Sequence, residues 1–160
     1  MNPHSTLVAF RESSKSSPPA KCNMAKSAIR GLGEVNLWVK DVEEMRRFYV
    51  DVLGLTPIHE SRIHIFLKVA DGYEGHPQVV ALFDSKFEGV DVKPDIRRST
   101  LNHVAFEIPL RSYELEKRRL KKAGVRVNEQ LHRAAHWRSI YFHDPDGNQV
   151  ELVAFDKNLN

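Results

Sequence analysis

Between residues 34 and 39 the chain alternates polar and apolar positions, with Val35, Leu37 and Val39 on one parity. That is the period of a strand with one buried face. Asp41 then stands as an N-cap with Glu44 three residues on in capping-box position, and Met45, Phe48, Tyr49 and Val52 recur at i, i+3, i+4 and i+7. An amphipathic helix is predicted, closed by Gly54 as a left-handed cap. The pattern then returns. Residues 103–108 alternate again, Ser112 is placed to cap a helix carrying Leu115, Leu120 and Ala123 on one side, and Gly124 stops it. His103 follows Glu34 by 69 residues, Gly124 follows Gly54 by 70, and Val150 follows Val80 by 70, so the chain is read as a duplication.

Shorter strand-like runs complete each half: residues 63–69 and 78–83 in the first, and 125–128, 139–143 and 149–155 in the second. Asp144-Pro145-Asp146-Gly147-Asn148 marks the turn between the last two. The second half therefore reads as β-α-β-β-β, and the first half, as its repeat, is assigned the same order. The expected fold class is α+β: two βαβββ modules in tandem forming a cupped mixed sheet, module 1 over about 31–84, a linker over 85–99 and module 2 over about 100–155, in one domain spanning 29–157. Loops 56–78 and 128–138 are expected to shape a pocket.

A chain of 160 residues with 41% hydrophobic and 28% charged residues has the material for one core. Residues 1–28 differ: Ser13, Ser14, Ser16, Ser17, Pro18 and Pro19 crowd together, which predicts a disordered tail, with Met24 as a candidate start and an organellar transit peptide as the lesser alternative to a cytoplasmic location. No apolar run is long enough for a membrane helix, and a net charge of +3 with both signs interspersed gives no basic stripe for nucleic acid. The basic run 117–122 reads as a solvated helix face. A single cysteine, Cys22, offers no internal disulfide and fits a reducing compartment. A small-molecule substrate remains the expected partner.

Strand parity locates the chemistry. Val35, Leu37, Val39, Val104, Phe106, Ile108, Val150 and Leu152 should pack beneath the helices, which leaves Glu34, Asn36, Trp38, His103, Ala105, Glu107, Gln149, Glu151 and Val153 on the opposite, cup-forming face. Glu34, His103 and Glu151 occupy matching slots there. Two carboxylates and an imidazole suit a divalent ion such as Fe, Mn, Ni, Co or Zn, and three protein ligands leave positions open for substrate oxygens. The fourth matching slot is Ala81, which cannot ligate.

The segment 33–55, the run Leu101-Asn102-His103-Val104-Ala105-Phe106, and above all Tyr141-Phe142-His143-Asp144-Pro145-Asp146-Gly147-Asn148-Gln149-Val150-Glu151-Leu152 resemble the vicinal oxygen chelate superfamily. That group includes glyoxalase I, bleomycin-resistance proteins, extradiol dioxygenases, methylmalonyl-CoA epimerase and fosfomycin-resistance thiol transferases. The resemblance spans most of 31–155 and implies metal positions at Glu34, His103 and Glu151. It also points Tyr141 toward a substrate. Glu34 stands where a histidine is usual, which moves weight away from oxygen activation. Ala81 removes the fourth ligand of a strict glyoxalase I site. The lack of basic residues after Glu151, other than Lys157, argues against a phosphonate substrate.

The resulting expectation is a glyoxalase-like lyase or isomerase, with an extradiol dioxygenase-like oxidoreductase or a non-catalytic, ligand-sequestering protein of the bleomycin-resistance type as alternatives. Tyr141, His136, Arg138 and His76 are the candidate catalytic residues. His132 and Trp137 belong to the same predicted loop over the cup. His59 and His64 carry no readable signal, and Trp38 is expected in the core or at a dimer surface. A homodimer is expected, with the modules pairing either within one chain or between two.

Overall fold

The computed structural model describes residues 28–87, 89 and 101–160; the expected tail and most of the expected linker, with Cys22 and Met24, lie outside them. The element order is β1 (Glu34–Val39), α1 (Val42–Arg47), β2 (Thr56–Glu60), β3 (His64–Ala70), β4 (Gln78–Asp84), β5 (Val104–Glu107), α2 (Tyr113–Lys122), β6 (Asn128–His132), β7 (Trp137–His143) and β8 (Gln149–Phe155). Two four-stranded sheets form with the same topology, β1-β4-β3-β2 and β5-β8-β7-β6. In each, the first and last strands run parallel and the others antiparallel. The predicted pair of βαβββ modules is present.

The Asp41 carboxylate accepts from the Glu44 amide at 2.9 Å, as the capping pattern requires. After Arg47 the helix widens into a π-helical stretch, Phe48–Val52, and ends at Gly54 with φ +80°. Met45, Phe48 and Tyr49 are buried, so the 3.6-residue period selected the right face. The second helix departs from expectation. Ser112 belongs to a 3-10 turn, Leu110–Ser112, and makes no side-chain cap. Tyr113 and Leu120 are buried with Glu116 and Lys117 partly covered between them, while Leu115 and Ala123 face solvent. Positions 113, 116, 117 and 120 form the stripe, and 115 lies off it.

Two strands fall where loops were expected. β2 begins directly after the first helix, and β6 occupies 128–132 rather than 125–128. Both are outer strands of their sheets and mostly exposed, so no burial imprints an apolar alternation on them.

One core joins the modules through their helix-bearing sides. Phe48 packs against Phe142 at 6.2 Å between ring centres. The Arg119 guanidinium donates to the carbonyls of Val52 and Leu53, binding the second helix to the end of the first. Leu37, Val39, Val150 and Leu152 lie in that core, with Val35, Phe106 and Ile108 packed against it. Both cup-forming faces therefore turn outward: Glu34, Trp38, Ala105 and Glu107 are exposed. No helix among the described residues is long and apolar enough to cross a membrane.

Candidate functional site

The second module gathers a compact polar group on its outward face. β5 and β8 are parallel neighbours, with Ala105 in register with Glu151, and β8 pairs antiparallel with β7, setting Tyr141 beside Glu151. His103, just ahead of β5, reaches across so that its Nε2 lies 2.8 Å from Glu151 Oε2. Its Nδ1 lies 2.6 Å from Asn102 Oδ1. A proton on Nδ1 donates to that amide oxygen and leaves a lone pair on Nε2. Two acceptors then face each other across 2.8 Å, and Glu151 is only 4% exposed. A cation between them, or an added proton, resolves the conflict. The separation also fits adjacent corners around a divalent ion, since bonds of about 2.1 Å at right angles put donors about 3.0 Å apart.

Tyr141 stands over this pair, its ring edge-on to His103 at 5.6 Å, and its hydroxyl lies 3.1 Å from His132 Nε2. Burial, with the nearby Glu151 charge, raises the Tyr141 hydroxyl above its ordinary pKa, so it stays protonated. A cavity of about 470 Å³ opens in front, lined by these groups, by Arg133 from the connection before β7 and by Trp137 at the start of β7.

The other predicted residues are elsewhere. Glu34 is exposed on β1, and among the described residues no three His, Cys, Asp or Glu side chains gather around one point. Within one chain the trio is thus a pair. Ala81, the fourth slot, sits in register with Asn36 and Phe66. His76 lines a separate cavity of about 500 Å³ with Arg30, Asp71 and Tyr73. Its backbone presses so close to Gly72 that a Cβ there would meet the His76 carbonyl oxygen at 1.9 Å, so residue 72 must be glycine. Arg138 has the parity of Ile140 and Phe142, pointing to the helix side, where its Nε meets Asp156 at 2.7 Å. His136 adopts a left-handed conformation, φ +56°, and turns its ring edge-on to Phe155 rather than to the cavity. Neither Arg138 nor His136 reaches the His103–Glu151 pair. The alternation of β7 already carried that message for Arg138.

The Asp144–Asn148 segment contributes more than a turn. Asp144 accepts from Asn148 N at 2.8 Å, from Asn148 Nδ2 at 2.9 Å and from the buried Tyr49 hydroxyl at 3.1 Å. Burial raises its carboxyl pKa despite these donors. Asp146 accepts from the Lys40 amide at 2.9 Å. The turn that introduces Glu151 is thereby fastened to the first module, a role sequence spacing did not signal.

A sequence profile for the Glyoxalase/Bleomycin resistance protein/Dioxygenase superfamily matches residues 31–152. The fosfomycin resistance protein FosX of Listeria innocua is 26% identical over 127 residues, covering 79% of this chain and 90% of that one. The glutathione transferase FosA of Serratia marcescens is 27% identical over 124 residues, covering 78% and 80%. Among solved structures, FosX of Listeria monocytogenes in complex with Mn(II) and sulfate superposes with a TM-score of 0.61 at 25% identity, covering 81% of this chain and 93% of that one. With two βαβββ modules, a polar outward face on the second and a profile match across both, the chain belongs to the Glyoxalase/Bleomycin resistance protein/Dioxygenase superfamily.

Proposed function

We propose that this chain is a metal-dependent enzyme, a glyoxalase-like lyase or isomerase that chelates neighbouring oxygens of a small substrate on a divalent ion. His103 and Glu151 hold the ion together with Glu34 from a second copy. The observation that carries the reading is the Nε2 to Oε2 approach of 2.8 Å at a buried carboxylate, with the other imidazole nitrogen engaged by Asn102. Mn(II) bound to a FosX relative supports a hard or borderline cation. When bound, the ion supplies Lewis acidity that stabilises negative charge developing on a substrate oxygen. The chain's own groups do the rest. Tyr141 donates its retained proton toward that oxygen, His132 fixes the direction of the hydroxyl, and Arg133 offers charge at the rim. Because the modules join by their helix sides, the cup needs a facing wall, and the outward face of module 1 in a partner copy supplies it with Glu34.

Arg133 favours a second reading. A phosphonate was set aside for want of basic residues after Glu151, yet Arg133 and His132 reach the cavity from before β7. One relative is named for fosfomycin resistance, and a FosX structure similar to this chain holds Mn(II) and 1S,2S-dihydroxypropylphosphonic acid, so a phosphonate is the alternative substrate.

Mixing two inactive variants tests the shared site. Glu34→Ala and Glu151→Gln chains, unfolded together and refolded, form mixed dimers in which one site is intact and one doubly broken. Metal stoichiometry should recover to about a quarter of the wild-type value, since about half the dimers are mixed. No recovery rejects the shared site. Less than a tenth of an equivalent of metal in the wild type, after incubation with Fe, Mn, Ni and Zn, leaves the ligand-sequestering alternative. Turnover of a hemithioacetal, a phosphonate epoxide or a catechol then assigns the reaction.

A further inference from the structure

The hairpin of β2 and β3 carries two imidazoles that the chelate site does not use. His59 Nε2 and His64 Nε2 approach to 3.0 Å, while the ring centres stand 5.0 Å apart with planes inclined at 17°. The rings therefore meet through their Nε2 tips. Two neutral imidazoles in this position share a single proton, one nitrogen donating and the other accepting. A divalent ion makes the same junction with two lone pairs, because donors bonded at about 2.1 Å and at right angles lie about 3.0 Å apart. A turn of each ring about its soft Cβ–Cγ bond aims both lone pairs at one ion.

The backbone brings the two rings together by separate devices. β2 slips its register against β3 between Pro57 and His59, so that His59 falls opposite Phe66. Without that bulge His59 would fall opposite Ile65 and share its parity, on the helix side of the sheet. Across the hairpin, Ser61 Oγ accepts the amides of Ile63 and His64 at 3.3 and 3.0 Å and donates to the His64 carbonyl at 3.0 Å. That fixes the turn that presents His64. Phe66 packs against both imidazoles, at 5.4 and 5.2 Å, and Phe83 against His64 at 5.7 Å. The pair is held before anything binds, and it remains open to solvent, for His59 is exposed and His64 only partly buried.

Glu60, the next residue on β2, is engaged by Arg46 at 3.1 Å. Among the described residues no group of three His, Cys, Asp or Glu side chains gathers, so the hairpin offers two ligands and water completes the shell. Two neutral nitrogens without a carboxylate suit Zn(II), Ni(II) or Cu(II) far better than Mg(II) or Ca(II). We infer that His59 and His64 form a second divalent-ion site, selective for ions that prefer imidazole, which clips the outer strand β2 to β3. The site stands independently of how the chelate site is completed.

Glu151→Gln disables the chelate site and isolates the hairpin. Histidine-ring NMR of that full-length chain during titration with Zn(II) should show the His59 and His64 signals moving together and saturating at one equivalent. The melting temperature should rise by several degrees, as an ion bound only by the folded hairpin requires. Mg(II) at the same concentration should change neither reading. His59→Ala or His64→Ala in the same background should weaken Zn(II) at least tenfold and remove the thermal gain, since a chelate becomes a single ligand. Circular dichroism establishes that these variants fold, and the joint shift needs only the unmutated pair. The same two signals should move in the wild-type chain, and their loss in Glu151→Gln would assign the pair to the chelate site and overturn a second one. Movement of only one ring, or a thermal gain that survives His59→Ala, also overturns it. Two rings unmoved by excess Zn(II) leave the contact as a hydrogen bond between strands and reject the ion site.

Discussion

The two outward faces are built on one backbone plan and carry opposite chemistry. On module 2, His103, Glu151, Tyr141 and His132 make a polar group whose members satisfy or oppose one another within about one hydrogen-bond length. On module 1, the same sheet positions hold Ala81 where Glu151 would be and Phe66 where Tyr141 would be, with Phe83 and Trp38 alongside. Duplication supplied the scaffold twice, and the side chains then diverged toward ion holding on one copy and ring contact on the other. Glu34 lies exposed at the edge of the aromatic face, where, among the described residues, no group of three His, Cys, Asp or Glu side chains gathers. Under the proposed shared site, that leaves Glu34 to act across copies.

Removing the polar group should have the largest effect. Glu151→Gln and His103→Ala each should lower Mn(II) affinity by at least about a hundredfold, the upper end of what even an outer partner of a ligand costs. Asn102→Ala, which frees the imidazole without removing it, should cost about tenfold. Isothermal titration measures both, and an affinity unchanged by Asn102→Ala would show that imidazole orientation is not the issue. The converse change sharpens the comparison. Ala81→Glu puts the module 2 residue into the module 1 slot and should tighten Mn(II) about tenfold if the faces oppose each other. Ala81 is fully buried, so the variant also loses about 1–3 kcal/mol of stability. Unchanged affinity in a folded variant places slot 81 away from the ion.

Smaller effects test how module 2 is held in place. Tyr49→Phe deletes the hydroxyl that reaches Asp144 from the other module, and should destabilise the fold by about 1–2 kcal/mol. Denaturant melts give the number. If the loss also weakens metal binding several-fold, the turn transmits the helix position to Glu151; if binding is untouched, the contact serves stability alone.

What the sequence made legible was whatever burial had written into it. The alternation in β1 and β8 and the apolar face of the first helix record contact with the core, the exposed Asp41 cap records only the local start of that helix, and parity put His103 and Glu151 on one surface. β2 and β6 left no such record because they are outer strands with mostly exposed side chains. The His59–His64 pair was invisible because proximity across a hairpin is set by register, not by residue type. Glu34 shared parity and slot with the others, but parity says which way a side chain points and not which module stands opposite. Tyr113 was missed as an anchor. Its hydroxyl donates to the Ser139 carbonyl at 3.1 Å, and burial pushes its pKa up to about 12, an outcome that needed the strand beside it.

The smallest expected difference lies beyond the last strand. Arg138 Nε holds Asp156 at 2.7 Å, and the same carboxylate accepts from Asn158 N at 3.0 Å. The Arg138 hydrogen bond is the main cause keeping this carboxyl below its ordinary 3.8. A carboxyl with a folded pKa below its unfolded one stabilises the fold at every pH above the unfolded value and loses that stabilisation as the pH falls through the folded one. Module 1 ends differently, with Asp84 capping the Lys86 amide at 2.8 Å instead of meeting a guanidinium. Asp156→Asn should therefore lower the melting temperature slightly near pH 7 and flatten the acid limb below about pH 4. Melting curves taken between pH 2.5 and 7 measure both effects. An acid limb unchanged by the substitution would mean that the Arg138 clamp adds nothing to the stability of this end of the second module.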